Sequence, residues 1–280
     1  MMFRHAPLWV CKRYLNLLGT LYYIVNRQEH HMIKRNIMTV FDGDRKAQEI
    51  VKKAFQGIFT HYAEKLIMAH RSYDAVKKEL REMTEYSGLE NLDNALERGG
   101  VILVTAHFGG VEFMPLALAL RNYPVTMVVG FQTPLLKDSL MERAAEVNVE
   151  LIDGQSENVL QQAMDSLKRG RILLTECDEV DAWKPAKKTV SAFGGEIMLD
   201  RSLEVMCRRS GSTALGSFMI RDGGGYRLNI VPFGDEEVIT RQGLSAAILK
   251  TFEETVMMFP DQWYQWKKFH KMRPGIVYDI

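Results

Sequence analysis

The sequence predicts an α/β fold: a mixed, mostly parallel central sheet flanked by helices, behind a helical N-terminal layer. Three observations predict it. Residues 101–106 (VILVTA) form a continuous apolar, β-branched run, the pattern of a strand buried on both faces. Similar runs at 125–129, 149–152 and 171–175 alternate with helical segments near 111–121, 134–147 and 157–169, the rhythm of parallel βαβ units. Ahead of them Ile50, Val51, Ala54, Phe55, Ile58, Phe59, Tyr62, Leu66 and Ile67 recur at the i, i+3, i+4, i+7 spacing of one buried helix face.

The first 98 residues read as helical throughout. Asp42-Gly43-Asp44 supplies a break and an N-cap for the helix that follows, and a second helical run ends near Glu85. Residues 89–98 make a short amphipathic helix closed by Gly99-Gly100. Beyond the four buried strands, residues 213–221 and 226–233 flank Asp222-Gly223-Gly224-Gly225 and read as a β-hairpin. A helix over 243–258 and an aromatic tail complete the chain. With no internal repeat and no low-complexity linker, residues 1–98 and 99–280 are expected to be two parts of one compact unit.

Composition excludes several function classes. Of 280 residues, 46% are hydrophobic and 25% charged, which is globular composition rather than disorder. A net charge of +1 excludes a polycation that coats nucleic acid. Cys11, Cys177 and Cys207 show no C-x-x-C spacing, so neither a disulfide framework nor a structural zinc site is expected.

Charge is unevenly spread. Residues 1–35 hold Arg4, Lys12, Arg13, Arg27, Lys34 and Arg35 against Glu29 alone, a local net charge of +5 that leaves −4 for the rest. Within them, residues 8–25 (LWVCKRYLNLLGTLYYIV) are long enough to span a bilayer, but Lys12 and Arg13 would each cost about 2.5–3.5 kcal/mol near the centre of a spanning helix. No A-x-A-like cleavage site follows, as a secretory signal requires. A helix lying in the interface of an anionic membrane fits better, with Trp9, Tyr14, Tyr22 and Tyr23 at headgroup depth.

The chemistry points to the end of the first buried strand. His107 follows it directly, and Phe108-Gly109-Gly110-Val111-Glu112 opens the next helix, outside the carboxyl end of a parallel strand where open α/β sheets place their sites. Across that turn Glu112 could reach one imidazole nitrogen and leave the other free as a general base. The alternative is a helix-capping Glu beside an incidental His. Gly109 and Gly110 permit a sharp turn, and their backbone N–H groups are candidates for an oxyanion hole. Glu176, Asp178, Glu179 and Asp181 cluster after the fourth strand; they could hold a divalent cation, but strand-end carboxylates also position basic side chains, and no metal or cofactor is expected. His30, His31, His61 and His70 have no carboxylate at ligand spacing and read as surface or satisfied histidines. No P-loop and no G-x-G-x-x-G after the first strand is present, and Gly154-Gln155-Ser156-Glu157-Asn158 lacks the last glycine of a nucleophile elbow.

Four blocks in order carry a resemblance. These are residues 100–112 (GVILVTAHFGGVE), 134–143 (PLLKDSLMER), 173–178 followed by Ala192-Phe193-Gly194-Gly195, and 260–266 (PDQWYQW) followed by Lys267-Lys268-Phe269. The chain resembles the bacterial lipid A biosynthesis acyltransferases, within the lysophospholipid acyltransferase superfamily. The resemblance implies that superfamily's fold and an H-x4-D/E dyad of His107 and Glu112. It implies acyl transfer from acyl carrier protein or coenzyme A to a hydroxyl of a membrane lipid or glycolipid, a late acylation of lipid A in particular. Arg143 would meet an anionic acceptor group, and Phe108, Gly109, Gly110, Asp178, Phe193 and Gly194 would line the substrate site. The protein would work at the cytoplasmic face of the bacterial inner membrane, bound peripherally or anchored by its N-terminus. A soluble acyl-thioester hydrolase and an inactive lipid-binding module are the alternatives.

Overall fold

The computed structural model describes residues 8–41, 44–131, 133–183, 185–235, 237, 239 and 243–274. The chain runs α1 (Leu8–Val25), α2 (Arg27–Met38), α3 (Asp44–His70), α4 (Tyr73–Met83), β1 (Thr84–Ser87), α5 (Leu89–Leu96), β2 (Val101–Thr105), a 3-10 turn (Val111–Phe113), α6 (Met114–Ala119), β3 (Val125–Val129), α7 (Pro134–Ala145), β4 (Val149–Asp153), α8 (Val159–Lys168) and β5 (Ile172–Glu176). It continues through β6 (Pro185–Ala192), β7 (Gly195–Asp200), α9 (Ser202–Ser210), β8 (Thr213–Asp222), β9 (Gly225–Pro232) and α10 (Leu244–Met258). Two 3-10 segments follow, Pro260–Gln262 and Tyr264–Met272. The Asp42-Gly43 break lies outside the described residues.

Seven strands form one mixed, mostly parallel sheet in the order β1-β9-β8-β2-β5-β3-β4, with only β8 and β9 antiparallel. Every residue of β2 is buried, as its unbroken apolar run requires at the centre of a sheet covered on both faces. The β8–β9 hairpin forms where the glycine run predicts it.

Three elements depart from expectation. The N-terminal part is not helical throughout: Thr84–Ser87 leaves α4 as a short strand and pairs parallel with β9, giving the sheet one edge. Residues 185–200 form a separate antiparallel hairpin, β6–β7, and α9 follows it. Four residues cannot show a periodicity, so β1 is legible only through its partner.

The helical layer docks on the sheet through a buried ionic clip. Glu64 on α3 is fully buried and accepts from Arg221 Nε at 2.8 Å, Arg221 Nη2 at 2.7 Å and Tyr226 Oη at 2.8 Å. Such a pair contributes registry between layers, and removing one partner typically costs about 3–5 kcal/mol. Outside this layer α1 packs on α3, with Tyr22 edge-on to Phe59 at 5.4 Å, and leaves Leu17, Leu18, Leu21 and Val25 exposed. Among the described residues no helix is long and apolar enough to cross a membrane.

Candidate active site

Parallel pairing of β2 with β5 sets Thr105 beside Glu176. His107 and Asp178 each lie two residues beyond that pair, so the register carries both to one place at the carboxyl end of the sheet. Asp178 is fully buried and accepts three hydrogen bonds: from the His107 backbone N–H at 3.0 Å, from His107 Nδ1 at 3.1 Å and from the Trp263 indole at 2.7 Å. A carboxylate can only accept, so the ring carries its proton on Nδ1. Nε2 therefore faces outward, 3.4 Å from Glu176 Oε2 and 3.7 Å from Glu179 Oε2.

These carboxylates set the proton affinities. Burial alone would lower the His107 pKa, but Asp178 on Nδ1, with Glu176 and Glu179, pushes it up to about 9. Burial raises Glu176 to about 7 against the pull of His107, with Asp178 and the other nearby carboxylates adding to the rise. Burial works against ionisation of Asp178 too, but the His107 charge and the hydrogen bonds from His107 and Trp263 hold it below the usual range. The result is a strongly basic imidazole fixed in one orientation.

Glu112 does not take the expected place on the ring. The 3-10 turn Val111–Phe113 points its carboxylate to α3, 3.3 Å from Lys65 Nζ and 3.5 Å from His61 Nε2. His61 and Lys65 lie four residues apart on one helix face, which brings both to the same carboxylate. His61 is buried, stacked on the Tyr264 ring at 4.0 Å, and held well below its ordinary pKa by burial and the Lys65 and Arg221 charges. It is a neutral interior group rather than a surface histidine. Burial raises the Glu112 pKa while Lys65 opposes the rise.

His107, Glu112, Lys65, Glu176, Glu179 and Arg143 line one cavity of about 350 Å³. Its other walls are apolar: Leu116, Met127, Val149, Leu151, and Leu136 and Leu140 from α7. That helix starts where Thr133 caps it, accepting from the Leu136 N–H at 3.2 Å, with Pro134 in its first turn. Leu136, Leu140 and Arg143 then share a face at i, i+4, i+7 spacing. Arg143 donates from Nη2 to the Arg71 carbonyl at 2.6 Å and lies over the Tyr73 ring at 5.2 Å, while its buried Nη1 has no hydrogen-bond partner among the described residues. His107, Glu176 and Glu179 also form a set of one nitrogen and two carboxylate oxygens that could hold a metal ion, all within 4.8 Å of one another.

The remaining expected site residues do structural work. Gly109 and Gly110 donate their N–H groups to the Gln262 and Met219 carbonyls, at 2.9 and 2.7 Å, so neither is free for an oxyanion. Gly109 sits at φ +55°, and a Cβ there would lie 2.0 Å from the Met219 carbonyl oxygen; at Gly110 it would lie 2.6 Å from the Tyr226 ring. Phe108 is wholly buried, edge-on to Phe218 at 6.0 Å, and lines no part of the cavity. Phe193 and Gly194 are the two positive-φ residues of the tight β6–β7 turn. The Phe193 ring enters an aromatic core with Trp263, Phe252 and Phe269. Asp178 is inaccessible to substrate, and its contacts make it the group that positions His107.

The segment 260–266 closes the site from behind. Gln262 clasps the Arg221 backbone in both directions, at 2.8 and 3.0 Å. Trp263 anchors Asp178, and Tyr264 donates its N–H to the His107 carbonyl at 3.1 Å and its Oη to the Gly109 carbonyl at 2.7 Å. Trp263 and Trp266 are both wholly buried, which makes them core residues rather than membrane anchors. His61 and Lys65 have no motif of their own and only their approach to Glu112 identifies them, whereas Glu176 belongs to the acidic cluster after the fourth strand.

A family model described as bacterial lipid A biosynthesis acyltransferase matches residues 1–271. No curated protein matches the chain.

Proposed function

The chain belongs to the bacterial lipid A biosynthesis acyltransferase family and is an acyltransferase acting on lipid A, and from that premise we propose that it takes its acyl group from a thioester of acyl carrier protein or coenzyme A. The observation that carries the reading is the orientation of His107. Asp178 holds one ring nitrogen, and the other faces a cavity whose opposite walls are apolar. A hydroxyl and an acyl chain can thus meet at one basic nitrogen.

In this mechanism neutral His107 removes the proton from the acceptor hydroxyl through Nε2. The oxygen attacks the thioester carbonyl, and the tetrahedral intermediate collapses with cleavage of the C–S bond. The imidazolium then returns the proton to the leaving thiolate, so no acyl-enzyme forms. Asp178 keeps the ring oriented and stabilises its charge. The intermediate's oxyanion is met by Lys65, a cation on the cavity wall, with Glu112 fixing the ammonium from below. Arg143 Nη1 receives an anionic group of the acceptor, and the Leu136, Leu140, Leu151 side takes the acyl chain. The protein works from the membrane surface through the exposed apolar side chains of α1, at the cytoplasmic face of the inner membrane.

Incubating the purified protein with acyl-carrier-protein thioester, with and without a lipid A precursor, tests this by mass spectrometry. An acylated lipid is the expected product. Free fatty acid in the presence of acceptor would instead make the protein a thioester hydrolase, and no turnover would leave it a binding module.

A further inference from the structure

We propose that His107, Glu176 and Glu179 form a Zn²⁺ site, and that the bound ion switches transfer off by occupying the lone pair that His107 needs as a base. The inhibitory half rests on the reading of His107 given above; the site itself rests on geometry.

Nε2 of His107 lies 3.4 Å from Glu176 Oε2 and 3.7 Å from Glu179 Oε2. Those separations are too long for good hydrogen bonds. They match the edges of a coordination tetrahedron instead: with Zn–N and Zn–O bonds of about 2.0–2.2 Å, neighbouring ligand atoms stand about 3.3–3.5 Å apart. All three ligand atoms lie within 4.8 Å of one another, and the Glu179 side chain, 44% exposed, is able to adjust. Its other oxygen is 3.8 Å from Lys268 Nζ, leaving Oε2 turned to the imidazole.

A second feature, shared with the base reading, also suits a metal. Histidines that ligate metals give their other ring N–H to a carboxylate or carbonyl, which fixes the tautomer and raises ligand basicity. Here Nδ1 is held by fully buried Asp178, itself tied to Trp263. Three protein ligands with the fourth position open to the cavity are the arrangement of an accessible zinc site. One imidazole and two carboxylates favour Zn²⁺ over Ca²⁺ or Mg²⁺, which want six or more oxygens or retain their water. The features that make His107 a strong oriented base thus also make it a metal trap.

The full-length protein is stripped with EDTA and titrated with ZnCl₂ by isothermal calorimetry, and transfer is assayed in the same samples. The expected result is one ion per chain, loss of transfer as the site fills, and full recovery with EDTA. Glu179→Gln and Glu176→Gln should each weaken binding at least 10-fold, with thermal melts confirming that both variants fold. Absence of saturable binding, or unchanged affinity in both variants, overturns the site and leaves the base assignment to its own pH test. Binding lost in the variants but accompanied by undiminished transfer in the wild type keeps the site and overturns inhibition, and the role of His107 as base with it.

Discussion

Asp178 grips His107 at two points, accepting its backbone N–H at 3.0 Å and its Nδ1–H at 3.1 Å. One buried carboxylate therefore fixes both the strand-end backbone and the ring. Two bonds to one residue restrict the imidazole more than a single contact from the turn at Glu112 could.

His107→Ala is expected to lower kcat by about 10²–10⁴-fold, the usual cost of a lost general base. Asp178→Asn should come close to it, because the amide cannot serve three donors as an anion does. Glu112→Gln should be milder, since it touches Lys65 and not the ring. Steady-state kinetics on folded variants checks the order, and a larger loss at Glu112 than at Asp178 would return the orienting role to Glu112.

The pH dependence has a defined sign. With EDTA present, kcat/KM should rise with pH through the His107 value of about 9, because only the neutral ring accepts a proton. Glu179→Gln should move that midpoint down. Since the folded protein binds this proton more tightly than the unfolded chain, the stability it contributes is complete below about 6.5 and lost as pH rises toward 9. Rate profiles and melting curves read the two effects separately.

Arg143→Ala should raise the acceptor KM about 10- to 100-fold, the range of a charge-assisted hydrogen bond, with the donor KM nearly unchanged. Arg143→Lys should not restore it, because a lysine loses the fork and the stack on Tyr73. A rise confined to the donor would place Arg143 on the carrier-protein side of the site.

Leu140→Trp narrows the apolar side of the cavity from α7. The longest acyl chain accepted should shorten, while turnover with the shortest accepted donor is retained. A thioester series differing by two carbons per member reads this directly, and an unchanged preference would move the acyl chain elsewhere.

Full-length protein should sediment with anionic vesicles, weakened by salt that screens charges beyond about 8 Å, and removal of residues 1–26 should abolish it. The shortened protein should still acylate a detergent-dispersed acceptor, because its cavity residues begin at Lys65. A full-length protein that stays in the supernatant at low salt would make α1 part of the core alone.

Legibility in the sequence followed from whether a feature is local. The strands β2 to β5 and the β8–β9 hairpin announce themselves in continuous apolar runs and a glycine turn. β6 and β7 are less legible: their turn is Phe193-Gly194 rather than a glycine run, and neither strand is a continuous apolar run. His107 was visible at its strand end; its true partner was not, since Asp178 is 71 residues away and only the β2–β5 register joins them. His61 meets Glu112, 51 positions away in sequence, only through the fold. Gly109 and Gly110 make the sharp turn and close backbone approach that glycine permits, while their N–H groups go to the Gln262 and Met219 carbonyls rather than to an oxyanion.

The clasp of residues 262–264 on the His107 loop also sets the order in which the protein becomes competent during synthesis. Chains emerge from the ribosome N-terminus first, so β2 and β5, which carry His107 and Asp178 at their ends, are made while the segment that anchors Asp178 and the His107 carbonyl is still unmade. Until Gln262, Trp263 and Tyr264 arrive, Asp178 lacks its indole donor and the Gly109 turn lacks its backbone partner. An acyltransferase activity is thereby withheld until residues 262–264 have been made, and a product of translation interrupted before them would hold His107 without its anchored partner.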